Sequence, residues 1–156
     1  MKNPIRFLMH VPVPWVFVLT YLLGAILESI RPATIRPEAA LVSTVAGGVL
    51  FAVGAVIAGW SLVLFRRART TTVPGKSSVK LVTWGPYRLT RNPMYVGLAI
   101  AYLGEAGLLK QIWPFLVLPL TVAYLNWIVI PVEEAKLKEV FQDAYEQYSS
   151  RVRRWI

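Results

Sequence analysis

Residues able to do chemistry are scarce in this chain of 156, and they gather in two places. Arg91-Asn92-Pro93-Met94-Tyr95 stands just ahead of one apolar stretch, and the adjacent carboxylates Glu133 and Glu134 stand just after another. With no cysteine, one histidine (His10) and one aspartate (Asp143), the inventory disfavours disulfide frameworks, Cys/His zinc sites and thiol nucleophiles. It also disfavours a Ser-His-Asp triad with a downstream aspartate. No G-x-G occurs, so a soluble Rossmann-type nucleotide site is absent. Asn92-Pro93 reads as an N-cap followed by proline at the first helical position, where free backbone N–H groups favour an anion. Each of these residues also has a plainer reading. Arg91 can be an orientation anchor, Tyr95, Trp84, Trp113 and Trp155 belt aromatics, and the Glu133-Glu134 pair a favourable start to the next helix.

The elements that must position these groups are membrane helices. The chain is 56% hydrophobic with mean hydropathy +0.52, which excludes a disordered polymer, and its length allows one domain (1–156). A net charge of +9 suits nucleic acid on a soluble surface. On a chain this apolar it suits an anionic inner leaflet instead, and no nucleic acid partner is expected. Four stretches are long enough to cross about 30 Å of hydrocarbon: roughly 11–30, 41–65, 93–109 and 112–132. The expected fold is therefore an all-α integral membrane protein of about four spans, with a C-terminal amphipathic cytoplasmic helix over 133–155.

Spans three and four are separated by Lys110 and Gln111 alone and must form an antiparallel hairpin. Pro114, Pro119, Asn126 and Pro131 mark span four as protein-facing, because its freed polar groups need partners. Small residues at Gly54/Ala58, Ala55/Gly59 and Gly97/Ala101 permit close helix contact. With the N-terminus inside, fourteen basic residues fall on the cytoplasmic side and three, Arg31, Arg36 and Lys110, outside. Both termini are then cytoplasmic. A cleaved leader competes for the start, since Lys2 and Arg6 precede the apolar run; full span length and the lack of an A-x-A site favour a retained span. Glu28 and Glu105 lie near the outer ends, where pairing with Arg31 or Lys110, or snorkelling, is the expectation.

What lies in water collects on one side. The connection 66–92 is too long to be a mere link and carries a Gly85-Pro86 turn signal. Beyond span four, Leu137, Phe141, Tyr145, Tyr148, Val152 and Trp155 recur at steps of three and four, one helical face, with Glu134 and Lys138 as an i,i+4 pair. Such a helix lies at the interface as an anchor or folds back as a lid; composition favours the anchor.

LVTWGPYRLTRNPMYVG (81–97), followed by PVEEAKLKEVFQDAYEQYSSRVRRWI (131–156), resembles the isoprenylcysteine carboxyl methyltransferase family. It is also similar to the wider group of small membrane methyltransferases that includes phospholipid methyltransferases. That pattern is LVT-x-GPYR, R-[HN]-P-x-Y-x-G, a hairpin of spans, a Glu-Glu pair, paired tyrosines and a closing Val-x-Arg.

The resemblance implies transfer of a methyl group from S-adenosylmethionine to a lipophilic or lipid acceptor, in a multi-pass protein of a prokaryotic-type cell membrane. By motif position it places cofactor contacts on Val79, Lys80, Leu81, Val82, Tyr87, Asn92, Pro93, Met94, Tyr95 and Glu133. It places the catalytic groups on Arg91, Glu133 and Glu134, with no metal. Glu133 would pair with the cofactor's amino group. Arg91, Lys80 or the start of span three would take its carboxylate, and Tyr87, Tyr95 and Trp84 would offer a slot for adenine. Three departures stand out. Asn92 occupies a common His position, Gln142 replaces a glycine, and Val129 stands where prenylcysteine enzymes carry an arginine, which weighs against a prenylcysteine carboxylate. No general base is evident, which suits a nucleophile that is already a carboxylate, thiolate or amine. The alternatives are a small four-span proton-coupled exporter using Glu28 and Glu105, and a non-catalytic member of the fold.

Overall fold

The computed structural model describes residues 12–33, 37–68 and 80–156, and every regular element among them is helical. The helices are α1 (Val13–Ile30), α2 (Ala40–Arg67), α3 (Pro93–Leu108), α4 (Trp113–Tyr124) and α5 (Ile130–Arg151). Short 3-10 turns at Pro37–Ala39 and Gly85–Arg88 precede α2 and α3. Three helical runs are long and apolar enough to cross a bilayer: α1, α2, and the continuous run Trp113–Arg151. The third expected span forms as α3, but its 16 residues reach only about 24 Å.

Proline and charge set the boundaries. Prolines stand in the first turn of α1, α3 and α4, where a missing N–H costs nothing. α2 has no charge until Arg66 and Arg67 in its last turn, where cations meet the carbonyl end of the helix. α3 ends in a Schellman arrangement: Gln111 N–H donates to Ala106 C=O (2.9 Å) and Lys110 N–H to Gly107 C=O (3.2 Å), with Lys110 left-handed at φ 58°. That motif is the tight link between the two hairpin arms.

α3 lies along α2, backbone to backbone. A Cβ placed on Gly54 would meet Ala101 N at 2.3 Å, and one on Gly104 would meet Phe51 N at 2.2 Å. Gly97 faces Ala58, so the Gly54/Ala58 and Gly97/Ala101 spacings mark a real contact, which Gly47 and Gly104 extend. Gly59 faces open space. α1 packs on α4 through Gly24 against Pro114 and buries one stripe of Val13, Phe17, Tyr21, Gly24 and Glu28. The outward faces of α1 and α2 remain covered with exposed Leu, Val, Ile and Trp side chains, the surface a bilayer would wet.

Glu28 does not pair with Arg31. Its Oε2 accepts the N–H groups of Ile112 (2.9 Å) and Trp113 (3.1 Å), and its Oε1 that of Ala33 (2.6 Å). The end of α1 thereby caps the start of α4.

α4 does not stop at 132. It passes through a π turn, Leu125–Val129, straight into α5, so the expected C-terminal helix is not a separate element. Pro131 accounts for the wide turn: in a regular helix its ring would press on the carbonyl of Trp127, and a π turn opens that space. α5 then breaks at Gln142 (φ 43°, ψ −121°). Lys138 Nζ and Glu146 Oε1 pair at 2.7 Å, and Arg154 Nη2 lies 2.6 Å from Glu134 Oε2, whereas straight helix over 134–151 alone would span about 26 Å. The chain therefore folds back at Gln142, and 143–151 returns alongside 130–141. The expected single face from Leu137 to Trp155 is divided by this reversal. Residues 152–156 are not helical; Val152 is extended (φ −119°, ψ 129°).

Candidate functional site

The site begins with a proline-fixed turn. Gly85 takes φ +64°, and the Gly85–Arg88 turn after it buries Pro86 and Tyr87 against the end of α2. Val82, Tyr87 and Leu64 form a small core there, and the Tyr87 ring packs on Phe65 with centroids 5.2 Å apart. Five residues after Arg88 the chain enters α3, which carries Met94 and Tyr95 into the main core. Asn92 precedes Pro93 at the helix start as expected, but its side chain caps nothing. Thr90 Oγ1 takes the Asn92 N–H (3.1 Å), and Asn92 Nδ2 donates to the carbonyl of Arg154 (2.9 Å).

α5 brings the carboxylates to this point. Tyr95 Oη donates to Glu133 Oε1 at 2.6 Å, linking the motif before α3 to the pair after α4 across 38 residues of sequence. Glu133 begins the charged part of α5, just past the apolar stretch that ends at Val132. Burial, with the Glu134 charge beside it, pushes the Glu133 carboxyl up to about 7, and the Tyr95 hydrogen bond works in the opposite direction. Burial likewise drives the Tyr87 hydroxyl far above its ordinary range, with the charges of Tyr148 and Glu133 adding to it.

Glu134 is engaged on both oxygens. Arg154 reaches it in a fork, Nη2 to Oε2 at 2.6 Å and Nε to Oε1 at 3.2 Å, and Arg91 Nη1 lies 3.2 Å from Oε1. The expected Glu134–Lys138 pair gives way to this bridge because the reversal at Gln142 delivers a stronger, bidentate partner. Arg91 Nη1 also donates to Tyr145 Oη (3.3 Å), and Tyr148 Oη donates to the carbonyl of Tyr87 (2.8 Å). The returning half of α5 thus sits over the loop, as a lid would.

Among the described residues, Tyr87 Oη and Arg91 Nε are buried without a hydrogen-bond partner. A buried polar group left unpaired costs stability, so a ligand that supplies partners is favoured there. The structure brings together Tyr87, Arg91, Asn92, Tyr95, Glu133 and Glu134, with Val82, Pro93 and Met94 as buried apolar neighbours in the same elements. Leu81 is half-buried, and Lys80 is exposed with its ammonium 5.6 Å from the Trp84 ring. Val79 lies outside the described residues. Sequence reasoning passed over Asn126, Arg154 and Tyr145 as site residues. An asparagine within an apolar span was the available signal for the first: its Oδ1 accepts Trp155 Nε1 at 3.0 Å.

A helical membrane bundle that gathers Tyr87, Arg91, Tyr95, Glu133 and Glu134 at one end, under a folded-back terminal hairpin, has the build of a small membrane enzyme. The chain belongs to the phospholipid methyltransferase family, whose model matches residues 42–144. This family of small membrane methyltransferases is related to the isoprenylcysteine carboxyl methyltransferases and uses S-adenosylmethionine as methyl donor. The protein is accordingly an S-adenosylmethionine-dependent methyltransferase of the membrane. Neither a curated protein nor a solved structure matches it.

Proposed function

We propose that this enzyme methylates the amino headgroup of a phospholipid drawn sideways from the inner leaflet, with the donor held between 80–95 and the start of α5. The Tyr95–Glu133 hydrogen bond carries the reading, because it makes one site of two motifs far apart in sequence. In this reading α3 crosses together with α2, giving four crossings, and the basic residues around the site face the cytoplasm.

The residues present fit the donor. Bound S-adenosylmethionine would supply an electrophilic methyl on its sulfonium; the headgroup nitrogen would take it as the neutral amine, its ammonium proton having passed to the aqueous side, and the sulfur would leave as a neutral thioether. Glu133, as a carboxylate, balances positive charge at the site, and Tyr95 holds the carboxylate in one orientation. Tyr87 offers its unpaired hydroxyl, while Val82 and Met94 give an apolar wall. Arg91 presents a guanidinium whose Nε is free for an anionic group of donor or acceptor. Glu134 fixes where that guanidinium sits. The lid and the apolar wall exclude water, and orienting the reacting partners supplies several kcal/mol of the barrier reduction.

An amine headgroup is favoured over a carboxylate acceptor by one position. Val129, buried within the π turn, offers no cation where prenylcysteine enzymes have one. The test is incubation in vesicles of phosphatidylethanolamine with isotopically labelled donor, followed by lipid extraction. Label in the headgroup is expected. Protein that binds S-adenosylhomocysteine yet labels only an isoprenylcysteine carboxylate would replace this substrate assignment.

A further inference from the structure

The matched family region ends at residue 144, yet several contacts that fix the site come from beyond it. The extended tail 152–155 runs beside the motif ahead of α3. Arg91 N–H donates to the carbonyl of Arg153 (2.9 Å), while Thr90 Oγ1 (3.0 Å) and Asn92 Nδ2 (2.9 Å) both donate to the carbonyl of Arg154. Three consecutive motif residues are therefore held by two tail carbonyls. The tail is in turn held at the π turn: Trp155 Nε1 donates to Asn126 Oδ1 (3.0 Å), and Arg154 Nη1 reaches Asn126 O and Oδ1 (both 3.4 Å). The Arg154 fork on Glu134 closes the circuit.

We infer that the last residues of the chain act as a strap completing the donor site, with Arg154 as a positioning residue that sets Arg91 and Glu133 through Glu134. This rests on the functional reading above. Glu134 carries one charge and two cationic partners, Arg91 and Arg154. Without Arg154, Glu134 would draw on Arg91 alone, and its less balanced charge would act on the neighbouring Glu133. The groups facing Glu133 are Tyr95 from α3, Tyr87 from the loop and Glu134 from α5. Loss of a cation beside Glu134 moves the Glu133 titration upward. A residue that only held the fold together would leave that titration in place.

The experiment uses full-length protein in detergent and calorimetric titration with S-adenosylhomocysteine between pH 6 and 8.5. Arg154→Ala should weaken binding about 10-fold at pH 7 and shift the pH midpoint of affinity upward by about half a unit, and Arg154→Lys should recover most of both. Arg154→Ala protein that elutes and melts like wild type, with affinity within twofold and an unmoved midpoint, overturns the proposal. If Arg154→Ala does not fold, Trp155→Phe serves, removing one indole N–H from Asn126. Binding weakened about 3-fold supports the strap, and unchanged binding refutes it. Wild-type protein that binds no S-adenosylhomocysteine would instead unseat the donor-site reading itself.

Discussion

Tyr95 Oη and Glu133 Oε1 meet at 2.6 Å, one from the first turn of α3 and the other from the first turn of α5. The hydrogen bond ties a hairpin arm to the start of the terminal lid. Burial, acting against that hydrogen bond, pushes the Glu133 carboxyl up to about 7 and leaves it near its midpoint at neutral pH.

The pH dependence of donor binding follows. The carboxylate fraction of Glu133 rises with pH through 7, so affinity for the cationic donor should rise between pH 6 and 8, and Glu133→Gln should flatten it. At pH 8 that substitution, and Tyr95→Phe to a smaller extent, should weaken binding by about 10-fold or more, equivalent to about 1.4 kcal/mol. Stability of the unliganded fold runs the other way. Glu133 binds its proton more tightly folded than unfolded, so stability falls as pH rises from the ordinary carboxylate value through about 7, and Glu133→Gln should remove that slope. Calorimetry for binding and a thermal scan against pH check both signs; a flat wild-type profile would place Glu133 away from the donor.

Gln142 adopts φ 43°, ψ −121°, a conformation that suits glycine and strains any side chain. Gln142→Gly should therefore raise stability by about 1 kcal/mol, even though glycine is a poor helix former, because this position is not helical. The readout is the thermal midpoint in detergent. A lower midpoint would mean that 143–151 does not fold back.

These two positions show what the sequence revealed and what it hid. The hairpin of α3 and α4, the Gly85-Pro86 turn and the glycine contact of α2 with α3 were legible, since each depends on local residue type and spacing. The reversal in α5 was marked only through the resemblance, which sets a glycine at position 142; the glutamine itself, amid helix formers, reads as continued helix, and contacts from Arg154, Tyr145 and Tyr148 hold it otherwise. The Glu134–Lys138 spacing pointed the same wrong way. The convergence of the two motif blocks was expected from the resemblance, while the clamp by the Arg153 and Arg154 carbonyls left no mark, since any residue supplies a carbonyl.

Glycine substitutions along α2 should separate contact from composition. Gly54→Ala puts a methyl where backbone stands at 2.3 Å and should cost about 1–3 kcal/mol, as overpacking does. Gly59→Ala, with nothing within 4 Å, should be neutral or gain up to about 1 kcal/mol from helix propensity. Denaturation in mixed micelles compares them, and equal effects would mean that α3 does not lie on α2.

Glu28 provides the sharpest contrast with a transport role. Its carboxylate takes three backbone N–H groups, from Ala33, Ile112 and Trp113, at the far end of the bundle from Glu133. Removing the acceptor strands amides at the start of α4, each worth about 1–3 kcal/mol when buried and unpaired. Glu28→Ala should thus lower stability by at least about 2 kcal/mol, while the folded fraction keeps its S-adenosylhomocysteine affinity within twofold. A proton-coupled exporter predicts the reverse pattern, a stable variant that has lost pH-driven efflux. Measuring unfolding and binding on the same preparation decides between a cap that builds the hairpin and a carboxylate that carries protons.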